Sequence, residues 1–240
     1  MRPDNGGDGS DDEFVEEFVD AAGALIGRIA AMDDADRIAA ACRGSANPAA
    51  LRWLADTLQL TPEDVVVDAG TGLGGPAAWL RAEVRCAIVA ADPSPTAAAG
   101  ARQLFGLPAV QAPAAPAPFA DRAFDAVLLL GVLSVVDDRA TVLREALRTG
   151  RRVGVLDYCS TSADTVHAGG SAFAPPEQLA GELRQLWTHV DLVRVDAPTP
   201  AAWNQAAERA RAGVPQPDSE REVVDAIESG RLTLHALVGR

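Results

Sequence analysis

Val65-Val66-Val67-Asp68-Ala69-Gly70-Thr71-Gly72-Leu73-Gly74-Gly75-Pro76 decides how the rest of this chain is read. A β-branched apolar run, the kind that favours strands, ends in an acid. Four glycines and a proline follow. Glycine lets the backbone take positive φ and lets another group approach the main chain closely. Pro76 suits the first position of a helix, where a missing N–H costs nothing. The stretch predicts a strand, a tight turn and a helix start. The turn falls at the carboxyl end of the strand, where open α/β sheets bind ligands.

Two ligand patterns overlap here. Gly70, Gly72 and Gly75 satisfy GxGxxG, a dinucleotide pattern of low specificity on its own. Asp68, Gly70, Gly72 and Gly74 satisfy DxGxGxG. An acid two residues before the first glycine suits a ligand that carries an ammonium group. A nicotinamide dinucleotide would bring a pyrophosphate to the turn, where a carboxylate is unfavourable. A ligand-free turn also satisfies the spacing.

DxGxGxG resembles motif I of the class I S-adenosylmethionine-dependent methyltransferases. The trailing Gly75-Pro76 resembles their small-molecule branch, which includes quinone C-methyltransferases and sarcosine-type N-methyltransferases. The resemblance implies S-adenosyl-L-methionine as cofactor and S-adenosyl-L-homocysteine as product. It places Asp68, Gly70, Thr71, Gly72 and Gly74 around the methionine part of the cofactor.

Composition narrows the field. The 240 residues suffice for one large α/β domain with a full core. The chain has no lysine, so it can build neither a Walker P-loop nor a Schiff base on a lysine. A formal charge of −13 argues against a nucleic-acid substrate. No apolar run reaches the length of a membrane span, and no signal-like segment opens the chain. Cys42, Cys86 and Cys159 are widely spaced and form no CxxC, which points to reduced thiols in a cytoplasm and to no metal site.

Periodicity organises the rest. Residues 1–12 are Gly- and Asp-rich and are expected to be disordered. Residues 13–60 read as helices: apolar positions recur at helical spacing from Phe14 to Ile29, with Asp11 or Asp12 as cap. Two more helices follow over Asp34–Cys42 and Ala49–Leu58. From residue 61 strands and helices alternate. Strands are predicted over Val65–Asp68, Ala87–Ala91, Ala109–Gln111, Phe124–Leu130 and Arg152–Tyr158. Helices are predicted over Ala77–Glu83, Thr96–Phe105 and Arg139–Arg148, the last closed by Gly150 as a C′ residue. Ser160–Ala174 reads as a polar loop. Helices over Pro176–Trp187, Trp203–Ala212 and Ser219–Ile227 enclose a strand over Val190–Val195, and Leu232–Val238 alternates as a final strand.

Such alternation implies parallel pairing with right-handed crossovers. The resemblance adds the strand order. It implies a Rossmann-like sheet of seven strands, mostly parallel, with helices on both faces and the last strand antiparallel. The N-terminal helices (13–60) would then cap a methyltransferase-like domain over 61–240.

Asp92 ends the second strand, where an acid can accept hydrogen bonds from both ribose hydroxyls. Nicotinamide enzymes share that feature, and a turn aspartate before Pro93 would look the same. The resemblance puts Pro93 and the Ala114 main chain against the adenine, and the Gly131 main chain near the methionine part. It also exposes a departure. Val110-Gln111-Ala112-Pro113-Ala114-Ala115-Pro116-Ala117-Pro118-Phe119 aligns with VQGDAxxLPF, and Pro113 stands where the family has an aspartate for the adenine amino group. That contact is then either absent, a loss of about 1 kcal/mol that cofactor binding could survive, or made by other groups such as Gln111 or the Ala114 main chain. No base is offered at Leu133-Ser134, where some members carry one. Tyr158 and the loop residue His167 are the remaining candidates for one. His189 and His235 read as structural or exposed. Trp53, Trp187 and Trp203 read as core or pocket wall. A sulfonium cofactor needs mainly positioning, so a base is not obligatory.

The reading is methyl transfer to a small-molecule acceptor, by a monomer or homodimer, without metal, nucleic acid or membrane. A nicotinamide-dependent oxidoreductase and a non-catalytic or repurposed relative stay open beside it.

Overall fold

The computed structural model describes residues 23–42 and 46–240. The tail 1–12, the capping aspartates 11 and 12 and the start of the first helix lie outside them. Residues 23–30 are helical (α1), followed by α2 (Asp34–Ala41) and α3 (Pro48–Thr57). The alternating part then runs β1 (Val65–Ala69), α4 (Gly75–Glu83), β2 (Ala87–Asp92), α5 (Pro95–Phe105), β3 (Ala109–Gln111), β4 (Phe124–Leu130), α6 (Arg139–Thr149) and β5 (Gly150–Ser160). A hairpin follows, β6 (Val166–Ala168) and β7 (Ser171–Phe173). The chain closes with α7 (Pro176–Arg184), β8 (Val190–Arg194), α8 (Ala201–Arg211), α9 (Asp218–Glu228) and β9 (Leu232–Gly239).

The main sheet has seven strands in the order β3-β2-β1-β4-β5-β9-β8. β9 runs antiparallel to both its neighbours, and the other described pairs in this sheet are parallel. The seven-stranded, mostly parallel sheet with its last strand antiparallel, implied by the sequence resemblance, is the sheet observed. Successive strand residues point to opposite faces, so the central strands feed two cores. Val66, Ile88, Leu128, Leu156 and Ala236 pack with Leu51, Leu54 and Leu80 of α3 and α4. Val67, Leu129, Val155 and Leu237 pack with Leu143 of α6 and Leu179 and Leu183 of α7. Each such leucine contributes about 1.5–3 kcal/mol by burial. A third cluster joins Leu25 and Ile29 of α1, Ala39 to Ala41 of α2 and Ala206 and Ala210 of α8 to Leu73 in the glycine turn.

Local chemistry starts the helices. Asn47 Oδ1 accepts from the Ala50 N–H at 3.0 Å, Ser94 Oγ from Ala97 at 3.2 Å, and Asp138 Oδ1 from Thr141 at 2.9 Å. Each satisfies one of the orphan donors of a first helical turn.

The structure corrects three details. Gly150 is no left-handed C′ residue: its φ is −132° and it opens β5. A Cβ there would lie 2.6 Å from Val127 Cγ2, so close strand packing is what requires glycine. The loop 160–174 contains the β6–β7 hairpin. Helix α7 stops at Arg184, and Trp187 lies beyond it, seated on Gly239, where a Cβ would come within 2.8 Å of the indole.

Candidate functional site

The turn after β1 is fixed from both sides. The N–H groups of Gly70 and Thr71 both donate to the Ala91 carbonyl of β2, at 2.8 and 3.0 Å. Gly70, Gly72 and Gly74 take φ of 83°, 54° and 85°, where a side chain would be strained. Gly74 is the N-cap residue of α4, so the helix begins at Gly75 and Pro76 stands one place further in than the sequence predicts. Gly75 is needed for another reason: a Cβ there would lie 2.5 Å from the Ala41 carbonyl carbon and the Cys42 nitrogen. The end of α2 therefore rests directly on the turn.

Two carboxylates meet here, and burial treats them differently. Asp68 is fully buried. Its Oδ2 accepts from Thr71 Oγ1 at 2.8 Å, while Oδ1 has no partner among the described residues. Burial pushes its pKa up to about 7; the Thr71 hydroxyl opposes the rise, and the nearby Asp92 charge adds to it. Asp92 Oδ2 accepts from the Gly72 N–H at 2.8 Å and Oδ1 from the Ser94 N–H at 2.9 Å. Its pKa is also raised by burial, against the pull of those two N–H groups. A lone buried carboxylate oxygen beneath a glycine turn is a site for a cation or a strong donor.

The structure brings Asp68, Thr71, Gly72 and Asp92 together in this way. Pro93 is exposed, and its carbonyl accepts from Gln111 Nε2 at 3.2 Å. That bond commits Gln111 to the loop after β2. Pro113 and Ala114 line a small apolar cavity with Ala69, Ala91, Phe119 and Leu129. Gly131 has φ 73° and donates its N–H to the Leu156 carbonyl at 2.7 Å. Val132 beside it covers Gly70, for a Cβ on that glycine would sit 2.5 Å from Val132 Cγ2.

The two candidate bases lie elsewhere. Tyr158 is half-buried on β5 against Phe173 and Leu232, and His167 is exposed on β6. His189 pairs with Asp191 at 3.3 Å at the surface. His235 is buried, and burial lowers its pKa. It lines a cavity of about 420 Å³ with Arg194, Glu177, Ser160 and Thr233, beyond β5 from the glycine turn. Of the tryptophans, Trp187 is buried, and Trp53 and Trp203 pack partly buried against the α3–α4 core.

Sequence reasoning missed Asp157. It is buried on β5 and accepts from both the Ser134 hydroxyl and the Ser134 N–H, at 2.8 and 3.1 Å. An acid directly after the apolar run Val153–Leu156 was the available signal.

Residues 67–156, which hold the turn and Asp92 and end just before Asp157, match the family model described as a methyltransferase domain. The fold is that of the class I methyltransferases. A demethylmenaquinone methyltransferase of Mycolicibacterium vanbaalenii is 38% identical over 118 residues. That match covers 46% of this chain and 47% of the relative, so the chain spans about half the length of the curated relative it matches. Among solved structures, the SpnF cyclase superposes with a TM-score of 0.65 at 20% identity, covering 79% of each chain. A geranyl diphosphate C-methyltransferase from Streptomyces coelicolor, solved with S-adenosyl-L-homocysteine, superposes with a TM-score of 0.60 at 16% identity, covering 80% of this chain and 77% of its own. In this methyltransferase fold the glycine turn and Asp92 stand at the carboxyl ends of adjacent parallel strands. Among the described residues, no cluster of metal-ligating side chains is found and no helix is long and apolar enough to cross a membrane.

Proposed function

We propose that this chain transfers a methyl group from S-adenosyl-L-methionine to a small-molecule acceptor. The observation that carries the reading is the unpaired, buried Oδ1 of Asp68 beneath the glycine turn. It suits the ammonium of an amino-acid-like ligand and does not suit a pyrophosphate. The methyltransferase family match over the same residues supports it.

In this reading Asp68 and the turn from Gly70 to Gly74 hold the methionine part of the cofactor. Asp92 takes the ribose hydroxyls. Each of its oxygens already accepts one backbone N–H, and a carboxylate oxygen has a second lone pair to offer. Pro93 and Ala114 flank the adenine, and the Gly131 main chain faces the methionine end. The bound sulfonium supplies both the methyl and a good leaving group. The protein's part is to hold the acceptor in line, worth about 7–11 kcal/mol where alignment is good. An amine acceptor would only have to be neutral, so neither His167 nor Tyr158 is needed as a base.

The N-terminal helices, residues 13–60, would cap the site over the domain of residues 61–240. The net charge of −13 favours a small molecule over nucleic acid as substrate. Three free cysteines fit a reducing cytoplasm. The working unit would be a monomer or a homodimer.

Asp92→Asn keeps the size of the side chain, removes its charge and turns an NH₂ toward the Gly72 or Ser94 N–H. It should weaken S-adenosyl-L-homocysteine binding by roughly 1.5–3 kcal/mol, read by calorimetry. An unchanged affinity would remove Asp92 from the ribose contact. A second reading, cofactor binding without methyl transfer, draws on the apolar wall at Pro113. Binding without turnover across amine, hydroxyl and carbon acceptors would favour it.

A further inference from the structure

The segment between β4 and α6 leaves the sheet at Gly131 and passes over the glycine turn. Three contacts hold it. The Gly131 N–H donates to the Leu156 carbonyl at 2.7 Å. The Ser134 carbonyl accepts from the Ala172 N–H at 2.7 Å, which ties it to β7. Ser134 Oγ and N–H both donate to the Asp157 carboxylate, one to each oxygen. Burial pushes the Asp157 pKa up to about 6, and the Ser134 donors, with the Leu133 and Tyr158 N–H groups, oppose that rise by favouring the charged carboxylate. Only donors converge there, so an acceptor-only side chain is required, and an amide would turn an NH₂ toward them.

Ser134 and Asp157 are both buried, and two residues earlier in the same segment Val132 rests on Gly70. The seat of Val132 on the turn is thus set from β5. We propose that Asp157 is a positioning residue for methyl transfer: through Ser134 it fixes the segment after β4 so that Gly131 and Val132 present a set surface to the cofactor turn. The proposal rests on the methyltransferase reading above. Asp157 touches neither cofactor nor acceptor in it. Its effect passes through Ser134.

A merely structural clamp and a positioning clamp differ in one measurable respect. The structural clamp would change stability alone. The positioning clamp couples Ser134 to Val132 in ligand binding. The test uses Ser134→Ala, Val132→Ala and the double variant of the full chain, each titrated with S-adenosyl-L-homocysteine, with denaturant unfolding in parallel. Ser134→Ala should weaken binding about fivefold, the equivalent of about 1 kcal/mol for one lost hydrogen bond. In the Val132→Ala background the same change should cost less than about twofold, because the two act as a unit. Ser134→Cys, close in size and a weaker donor, gives the same comparison if the alanine variant does not fold. Wild-type affinity in the Ser134 variants, or fully additive losses, would overturn the proposal and leave the methyltransferase reading intact. A wild-type chain that does not bind S-adenosyl-L-homocysteine would overturn both.

Discussion

Asp68 shows how a single buried carboxylate can report its ligand. Its free-state pKa of about 7 comes first from burial, so near neutral pH about half of the molecules carry the proton. An ammonium placed beside Oδ1 would lower that pKa, and binding would then expel the proton. Affinity for S-adenosyl-L-homocysteine should therefore rise with pH, by about eightfold between pH 6.0 and 7.5. Calorimetry at the two pH values checks this, and Asp68→Asn should flatten the slope. A flat profile in the wild type would mean that no cation meets Asp68. Asp68 and Asp92 were legible from sequence because each ends a β-branched or apolar run just before glycine or proline. Asp157 was not, because its partner Ser134 lies in another segment, and only the parallel pairing of β4 with β5 brings them together. Pro113 was legible as a departure, and the apolar wall it joins explains how a proline fits there.

The unit β1–turn–α4 carries the clearest division between glycines that need positive φ and a glycine that needs space. Gly75 belongs to the second kind, since a Cβ would run into the Ala41 and Cys42 backbone, which cannot swing away as a side chain can. Gly75→Ala should push α2 off α4 and cost about 1–3 kcal/mol in denaturant unfolding. Gly106→Ala offers a contrast: it caps α5 at φ 61° with open space around it, and should cost about 1–2 kcal/mol from backbone strain alone. Loss of S-adenosyl-L-homocysteine affinity should accompany Gly75→Ala and not Gly106→Ala. Most elements were legible from spacing, because the two-faced strands and capped helices repeat simple periods. The β6–β7 hairpin was not. Its three-residue strands show no period, and they form because Phe173 and Ala168 pack against Ala226 and Leu232 from distant parts of the chain. Gly150 looked like a helix terminator, and the constraint that Val127 puts on it exists only once β4 and β5 are paired.

Alternation of strands and helices limited the molecule to a parallel α/β sheet, but nothing periodic in the chain orders the strands. The seven-stranded, mostly parallel arrangement with an antiparallel last strand came from the family resemblance and is now seen, with β9 antiparallel between β5 and β8. The resulting frame sets Asp68, Asp92 and the segment after β4 at the carboxyl ends of adjacent parallel strands, with α2 and Val132 closing over the glycines. The central claim is that this end of the sheet receives an S-adenosyl nucleoside and not a dinucleotide. Parallel calorimetric titrations of the full chain with S-adenosyl-L-homocysteine and NADH test it most directly. The expected result is saturable, roughly micromolar binding of S-adenosyl-L-homocysteine, about −8 kcal/mol, with no heat from NADH. Binding of NADH in its place, or silence from both, would contradict the claim.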